Sequence, residues 1–382
     1  MRDAVIVAAV RSPIGKRAGA LSKVHPVDLS AQVLSGLAAR ASLDPAVVED
    51  VIWGCVSQVG EQTFDIARSA VLSAGWPESV PGTTVDRQCG SSQQAIHFAA
   101  AGVIAGHYDV VVAGGVESMS RVPMGSAMGD QSPIGELYAK RYGDTVPNQG
   151  LGAEQIAREW SFTRDRLDAY SERSHHRAAA AVARGAFDSQ IIGIDTPDGV
   201  VRADEGVRPD CSADALAKLR TPFLDGGVIS AGNSSQISDG SAAVLITTSD
   251  VARKYGWTPL VRIHTAVVVG SEPTIMLTGP IPATAKALSR ANLSLADIGA
   301  FEVNEAFASV PMAWQAEYQV PEEKLNPLGG AIALGHPLGG SGARIATTLI
   351  NHMRDRGIRY GLQTMCEGGG QANATVFELV ES

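Results

Sequence analysis

Gly82-Thr83-Thr84-Val85-Asp86-Arg87-Gln88-Cys89-Gly90-Ser91-Ser92-Gln93-Gln94-Ala95-Ile96-His97-Phe98-Ala99-Ala100-Ala101-Gly102-Val103-Ile104 reads as a short β-prone run, a tight turn and an Ala-rich helix, with one cysteine at the joint. A sulfur placed there meets the unpaired N–H groups and positive dipole end of the helix, which favour thiolate over thiol. Free cysteine is also often an inert small core residue. The residues after Cys89 favour chemistry: Gly90, Ser91 and Ser92 let a substrate carbonyl reach the sulfur and let backbone N–H groups face it.

Outward from this unit, β-prone runs at 4–10, 51–56, 82–85 and 109–114 alternate with Ala-rich helical stretches at 28–41, 65–75 and 92–106. The alternation returns after about 260, with strands near 261–269, 300–303, 361–366 and 374–380. Such alternation is the pattern of an α/β protein, and its return indicates a weak internal duplication. From about Met119 to Ile237 the pattern breaks into polar turns with Pro123, Pro133 and Pro147, followed by helices around 151–185. At 382 residues the chain exceeds one ordinary hydrophobic core, so two or three subdomains are expected.

Two distant glycine-rich segments complete the set of reactive groups. In Asn326-Pro327-Leu328-Gly329-Gly330-Ala331-Ile332-Ala333-Leu334-Gly335-His336-Pro337-Leu338-Gly339-Gly340-Ser341-Gly342-Ala343-Arg344, the missing Cβ atoms let backbone approach a ligand, and Pro337 stiffens the turn that holds His336. A phosphate-cradling loop would end in Gly-Lys-Ser/Thr, which this segment lacks. In Leu362-Gln363-Thr364-Met365-Cys366-Glu367-Gly368-Gly369-Gly370-Gln371-Ala372-Asn373-Ala374-Thr375-Val376-Phe377-Glu378, a strand, a glycine turn and a second strand place Cys366 at a strand end. The adjacent glycines argue for close ligand approach over a merely buried thiol.

These segments, with Val303-Asn304-Glu305-Ala306-Phe307-Ala308, Ser230-Ala231-Gly232-Asn233-Ser234-Ser235-Gln236-Ile237-Ser238-Asp239-Gly240 and Arg11-Ser12-Pro13-Ile14-Gly15, resemble the thiolases, CoA-dependent acyltransferases that cleave or form 3-ketoacyl-CoA. The resemblance spans the chain. It implies the thiolase fold, two similar α/β halves in a five-layer αβαβα arrangement. The N-terminal half would take 1–118 and 238–259, a loop domain covering CoA 119–237, and the C-terminal half 260–382. It implies Cys89 as the acylated nucleophile, His336 as its base and Cys366 as the acid/base at the substrate α-carbon. Asn304, supported by Glu305, would hold a water in one oxyanion hole, and the backbone N–H groups of Cys89 and Gly368 would form a second. Phe223, Ala231, Ser235 and Phe307 match positions lining a pantetheine tunnel, and Arg208 one near the CoA adenine. Read on its own, Asn304-Glu305 is ordinary helix-capping chemistry.

The chain departs from the common family pattern at three places. Ser92 and Ala372 stand where glycine is usual, and Asn148-Gln149-Gly150 occupies the place of a His-Met pair found in several acetoacetyl-CoA-type members. With Cys366-Glu367-Gly368, these differences look more like the degradative thiolases of actinobacterial type, some of which act on sterol-derived acyl groups. Acetyl-CoA acetyltransferase and a non-catalytic thiolase-like lipid or sterol carrier are the alternatives. Carrier relatives tend to lose one catalytic cysteine, and decarboxylating condensing enzymes of this fold lack the acid/base cysteine; both cysteines are present here.

Composition narrows the class. A net charge of −9 leaves no basic footprint for nucleic acid, although Arg202, Arg208, Lys218 and Arg220 supply local positive charge for CoA phosphates. Cys55, Cys89, Cys211 and Cys366 lie far apart with no Cys-x-x-Cys pair, a reduced, cytoplasmic pattern. His175-His176 point about 100° apart on a helix, so the pair does not converge on one ion and no metal is expected. No apolar run approaches a membrane span, and a strand-like start leaves no room for a signal peptide. The expected partners are CoA thioesters, with coenzyme A as substrate, no tightly bound cofactor, and a homodimer or homotetramer as the assembly.

Overall fold

A computed structural model describes residues 2–380. Its core is a ten-stranded sheet whose two ends repeat one wiring, the tenth strand being the two-residue Gly15–Lys16 that pairs beside them with Asp239 and Ser238. In the first half, β1 (Val5–Arg11), β2 (Asp50–Gly54), β3 (Thr83–Val85), β4 (Val110–Ser118) and β5 (Ser238–Thr247) lie in the order β3-β2-β4-β5-β1. In the second, β6 (Val261–Gly270), β7 (Ala300–Val303), β8 (Tyr360–Glu367) and β9 (Gln371–Leu379) lie in the order β7-β8-β9-β6. The pairings correspond step by step. β2 runs parallel to β4 as β7 does to β8, and β4-β5-β1 is antiparallel throughout, as is β8-β9-β6. The halves join where Val5 and Ile6 of β1 meet Arg262 and Val261 of β6.

The helices complete five layers. On the outer face of the first half, α1 (Pro26–Ala41) and α2 (Ile66–Ser73) bury Leu29, Val33, Leu37, Ile66 and Val71 against Val5, Trp53 and Val112. On the outer face of the second, α6 (Pro280–Ala291) and α7 (Ser309–Tyr318) bury Ala283, Ala287 and Trp314 against Phe301, Ala374 and Val376. Between the halves lie α3 (Ser91–Ala105) and α8 (Ser341–Arg356), which share one core through Ile96, Ala99, Val103, Ala346, Leu349 and Ile350. A helix packed on nearly all sides needs small residues wherever its neighbours come close, which accounts for the alanine-rich α3. Its buried polar residues are tied to the other half. Gln93 Nε2 donates to Thr375 Oγ1 (2.7 Å), and Gln363 Nε2 donates to Gln93 Oε1 (3.0 Å).

Between Ser118 and Ser238 the chain leaves the sheet and builds α4 (Gln149–Glu159), α5 (Arg164–Ala183) and a hairpin of Ile194–Thr196 with Gly199–Val201. β5, α6, α7 and α8 lie outside the runs read from the sequence, and β4 outruns its own. β4 continues four residues past the expected end at 114, because Gly114 and Gly115 interrupt the apolar signature yet are required. A methyl on Gly114 would strike Trp53, and one on Gly115 would strike the backbone oxygens of Gly54 and Gly339. The glycine-rich stretch 338–344 turns into helix at Ser341.

Candidate active site

Cys89 sits in a strapped turn between β3 and α3. Gln88 takes left-handed backbone (φ 48°), which for a non-glycine residue stores strain held by its neighbours. The hydrogen bonds that hold it are Gln88 N to Asp86 Oδ1 (2.6 Å), Ser91 Oγ to Gln88 O (2.6 Å) and Arg87 N to Ser91 Oγ (2.9 Å). Cys89, 3% exposed, packs with Met119, Leu338, Ile345 and Met365, so the turn, the His336 loop and β8 meet at this point. Ser92, in place of the usual family glycine, accepts a hydrogen bond from Ala343 N (2.9 Å) and pins α3 to α8.

The glycines around His336 serve packing within the protein rather than the ligand approach expected from sequence. Gly339 lies against the backbones of Gly54, Cys55 and Val116, and Gly340 against Gly240 and Gly115. Contact of backbone with backbone leaves no space for Cβ atoms. The imidazole this loop holds has a defined tautomer. Ser341 Oγ lies 2.8 Å from Pro337 O and 2.6 Å from His336 Nδ1. A carbonyl only accepts and a hydroxyl has one proton, so Ser341 donates to Pro337 O and accepts from Nδ1–H. Nε2 is left with its lone pair, facing Asn304 Nδ2 at 3.4 Å.

Asn304 follows β7, where its N–H donates to Thr364 O (3.1 Å), and its Oδ1 is buried without a protein partner. The nearest helix, α7, begins at Ser309, so Asn304 caps no helix. Glu305, expected from sequence as support for Asn304, makes its hydrogen bonds to other groups than the Asn304 amide. Its carboxylate accepts from Tyr170 Oη (2.9 Å), Ser174 Oγ (2.7 Å), Asn326 Nδ2 (3.0 Å) and Ile332 N (3.1 Å). It therefore clamps α5 and the His336 loop to the turn that carries Asn304. Cys366, fully buried at the end of β8, shares an apolar cluster with Phe307, Met276 and Ile332. The turn that follows reverses the chain through Gly369 and Gly370, both at positive φ, and Gly368 stands against Gln88 of the Cys89 turn.

The electrostatics correct one sequence expectation. The helix terminus does not leave Cys89 as a resting thiolate. Burial first, then Glu367, push its thiol up to about 12. Burial likewise raises Cys366 well above its ordinary value, with Cys89 and Glu367 adding to it. His336 is held down to about 3, by burial and then by the charge of Arg344. These shifts favour two thiols beside a neutral imidazole, and with them a proton transfer that accompanies attack on a substrate.

Of the other positions singled out in the sequence, Phe223 and Phe307 meet edge to face with ring centroids 5.9 Å apart. Ser234 bridges to Phe307 and Ser235 N donates to Ala306 O (2.9 Å), which brings Ser235 to the Phe307 segment, while Ala231 lies exposed in the short turn Ala231–Asn233 before it. Arg208 stands exposed and apart from them, its N–H donating to His175 Nδ1 (3.2 Å). Asn148 caps α4 through Gly150 N (2.8 Å), and Gly150 lies directly on the Phe223 ring. Two site residues were not singled out in the sequence. One is Ser341. The other is Glu117, whose buried carboxylate gathers Val56 N, Ser57 N, Gln62 Nε2 and Gly339 N at 2.7 to 3.1 Å, joining β4 to the His336 loop.

Comparison with known proteins places this arrangement. Residues 4–250 match the thiolase N-terminal domain and residues 257–379 the thiolase C-terminal domain. A steroid 3-ketoacyl-CoA thiolase of Mycobacterium tuberculosis is 49% identical over 386 residues, covering 99% of this chain and 94% of that protein. A 3-ketoacyl-CoA thiolase of Erwinia tasmaniensis is 46% identical over 392 residues, covering both chains completely. The crystal structure of the Bacillus anthracis acetyl-CoA acetyltransferase superposes with a TM-score of 0.91 at 38% identity, over 100% of this chain and 99% of that one.

Proposed function

The chain belongs to the thiolase family, and from that premise we propose that it cleaves 3-ketoacyl-CoA with CoA to acetyl-CoA and a shortened acyl-CoA, through an acyl-Cys89 intermediate. The observation that carries the reading is the meeting of Cys89, the unprotonated Nε2 side of His336, Asn304 and Cys366 from separate parts of the chain.

In the first half-reaction the Cys89 sulfur attacks C3 of the substrate while His336 Nε2 takes its proton. The C2–C3 bond breaks, and its electron pair passes to the thioester as an enolate. Donors aimed at the thioester oxygen, Asn304 through a water and then the His336 imidazolium, stabilise that charge by about 3 kcal/mol each. Cys366 Sγ protonates C2 and acetyl-CoA leaves. In the second half the Cys366 thiolate takes the proton of incoming CoA, whose sulfur attacks the acyl group on Cys89, and His336 returns its proton to the departing Cys89 sulfur. Capture on Cys89 divides the reaction in two and predicts ping-pong kinetics. The segment 119–237 covers CoA in this reading, and Phe223, Ala231, Ser235 and Phe307 take the pantetheine.

For the acyl group we propose a long or ring-bearing chain. Asn148-Gln149-Gly150 stands where a His-Met pair marks short-chain members and abuts Phe223, and a relative 49% identical is named a steroid 3-ketoacyl-CoA thiolase. The second reading, acetyl-CoA acetyltransferase, takes its support from the name of the Bacillus anthracis structure. Comparing kcat/KM for thiolysis of acetoacetyl-CoA, a medium-chain and a sterol-derived 3-ketoacyl-CoA tests the choice. An advantage for acetoacetyl-CoA would overturn the long-chain reading, and the absence of an acyl adduct on Cys89 by mass spectrometry would overturn the mechanism.

A further inference from the structure

Glu367 follows Cys366, yet strand alternation turns its side chain to the other face of β8, the face of Met365 that packs on Cys89. The carboxyl is fully buried, and neither oxygen has a hydrogen-bond partner. It presses on Gly90, the residue after the nucleophile: a methyl at that position would overlap Glu367 Oε1 and come within 2.6 Å of Asn373 Nδ2. The surrounding polar groups are engaged elsewhere only in part, since Arg87 Nε and Asn373 Oδ1 also lack partners. Arg87 Nη1 donates to Gln371 Oε1 (2.9 Å), and Asn373 Nδ2 donates to Gly90 O (3.1 Å).

We propose that Glu367 is a positioning residue for Cys89: a carboxylic acid whose neutral form favours acyl transfer and whose ionisation slows the reaction on the alkaline side. The proposal rests on the reading of Cys89 as the acylated nucleophile. A buried carboxylate without hydrogen bonds is costly, so such a group keeps its proton. The charged and titratable groups facing it are Asp86, Arg87 and Cys89 from the turn, with Cys366 next to it on the opposite face of its own strand; Gln371 and Asn373 of β9 bring none. Arg87 favours ionisation and Asp86 opposes it, while burial dominates and raises Glu367 to about 8. Once ionised, it places a negative charge beside both sulfurs and raises both thiols. Thiolate then has to form against that charge in each half-reaction. Gln has the same shape and cannot ionise.

The test is the single-turnover rate of acetyl transfer from acetyl-CoA to Cys89, followed by mass spectrometry from pH 6.5 to 10 in wild type and Glu367→Gln, each normalised to its own rate at pH 7. Wild type is expected to fall by about threefold or more as pH rises through 8 and then to level off, because ionised Glu367 raises the thiols without abolishing attack, while Glu367→Gln shows no such fall. A folded variant with the wild-type fall, or a wild type with no fall, overturns the role of Glu367 and leaves the nucleophile assignment standing. No adduct on Cys89 in wild type overturns both. If Glu367→Gln fails to fold, Glu367→Leu also removes the ionisation, and the wild-type profile alone still decides against the proposal if it is flat.

Discussion

Replacing Ser341 with alanine tests whether the tautomer of His336 is set by one hydroxyl. Ser341 is fully buried, and its two hydrogen bonds run to Pro337 O and His336 Nδ1, so the substitution leaves Nδ1–H without an acceptor in the tautomer whose Nε2 can take the Cys89 proton. An unpaired buried donor costs roughly 1–3 kcal/mol. Charged to the base-competent tautomer, that slows acylation by about 5- to 150-fold. Rapid-quench measurement of acyl-Cys89 formation gives the rate, and steady-state KM serves as the control. Neither hydrogen bond of the Ser341 hydroxyl runs to the Phe223–Phe307 wall, so KM is expected to stay within about twofold of wild type while kcat falls. A general loosening of the loop would instead raise KM and lower the urea midpoint. A folded Ser341→Ala enzyme that acylates within about twofold of the wild-type rate would refute the tautomer argument.

Cys366→Ala is expected to accept an acyl group from a simple acyl-CoA, because self-acylation needs no proton at C2, whereas His336→Ala acylates slowly; turnover of both falls by orders of magnitude, and equal loss of acylation in the two contradicts the division of labour. Glu305→Ala removes four hydrogen bonds at about 1 kcal/mol each and is expected to lose roughly 4 kcal/mol in urea unfolding, with a loss below about 1 kcal/mol counting against the clamp. His97 is held down to about 3 by burial. A histidine depressed in the folded state contributes stability that is present above its unfolded value near 6.5 and lost as pH falls toward 3. Relative to wild type, His97→Gln is therefore expected to gain about 2 kcal/mol between pH 7 and pH 5 in urea unfolding. Glu302 is raised to about 8, chiefly by burial, and its contribution runs the other way, present below about 4.5 and lost as pH rises through 8, so Glu302→Gln gains on wild type in alkaline solution.

Much of the fold was legible along the chain because its signals are local. The periods of strand and helix, the turn at Cys89 and the glycine reversal after Cys366 depend on residues within a few positions of one another. The α/β class, the duplicated halves and the reactive residue types could all be read from that short range. What the sequence could not carry were quantities set by neighbours distant along the chain. The charge state of Cys89 depends on burial and on Glu367, 278 positions away. The use of the glycines depends on which backbones face them, which is why those around His336 read as a ligand loop and serve to pack Gly339 on Gly54 and Gly115. Glu117 and Glu305 look like ordinary acidic residues until folding brings four donors to each from separate segments. Local periodicity is written residue by residue, but desolvation and hydrogen bonding across the fold arise only when the two halves close on α3 and α8, and these decide how the named residues behave.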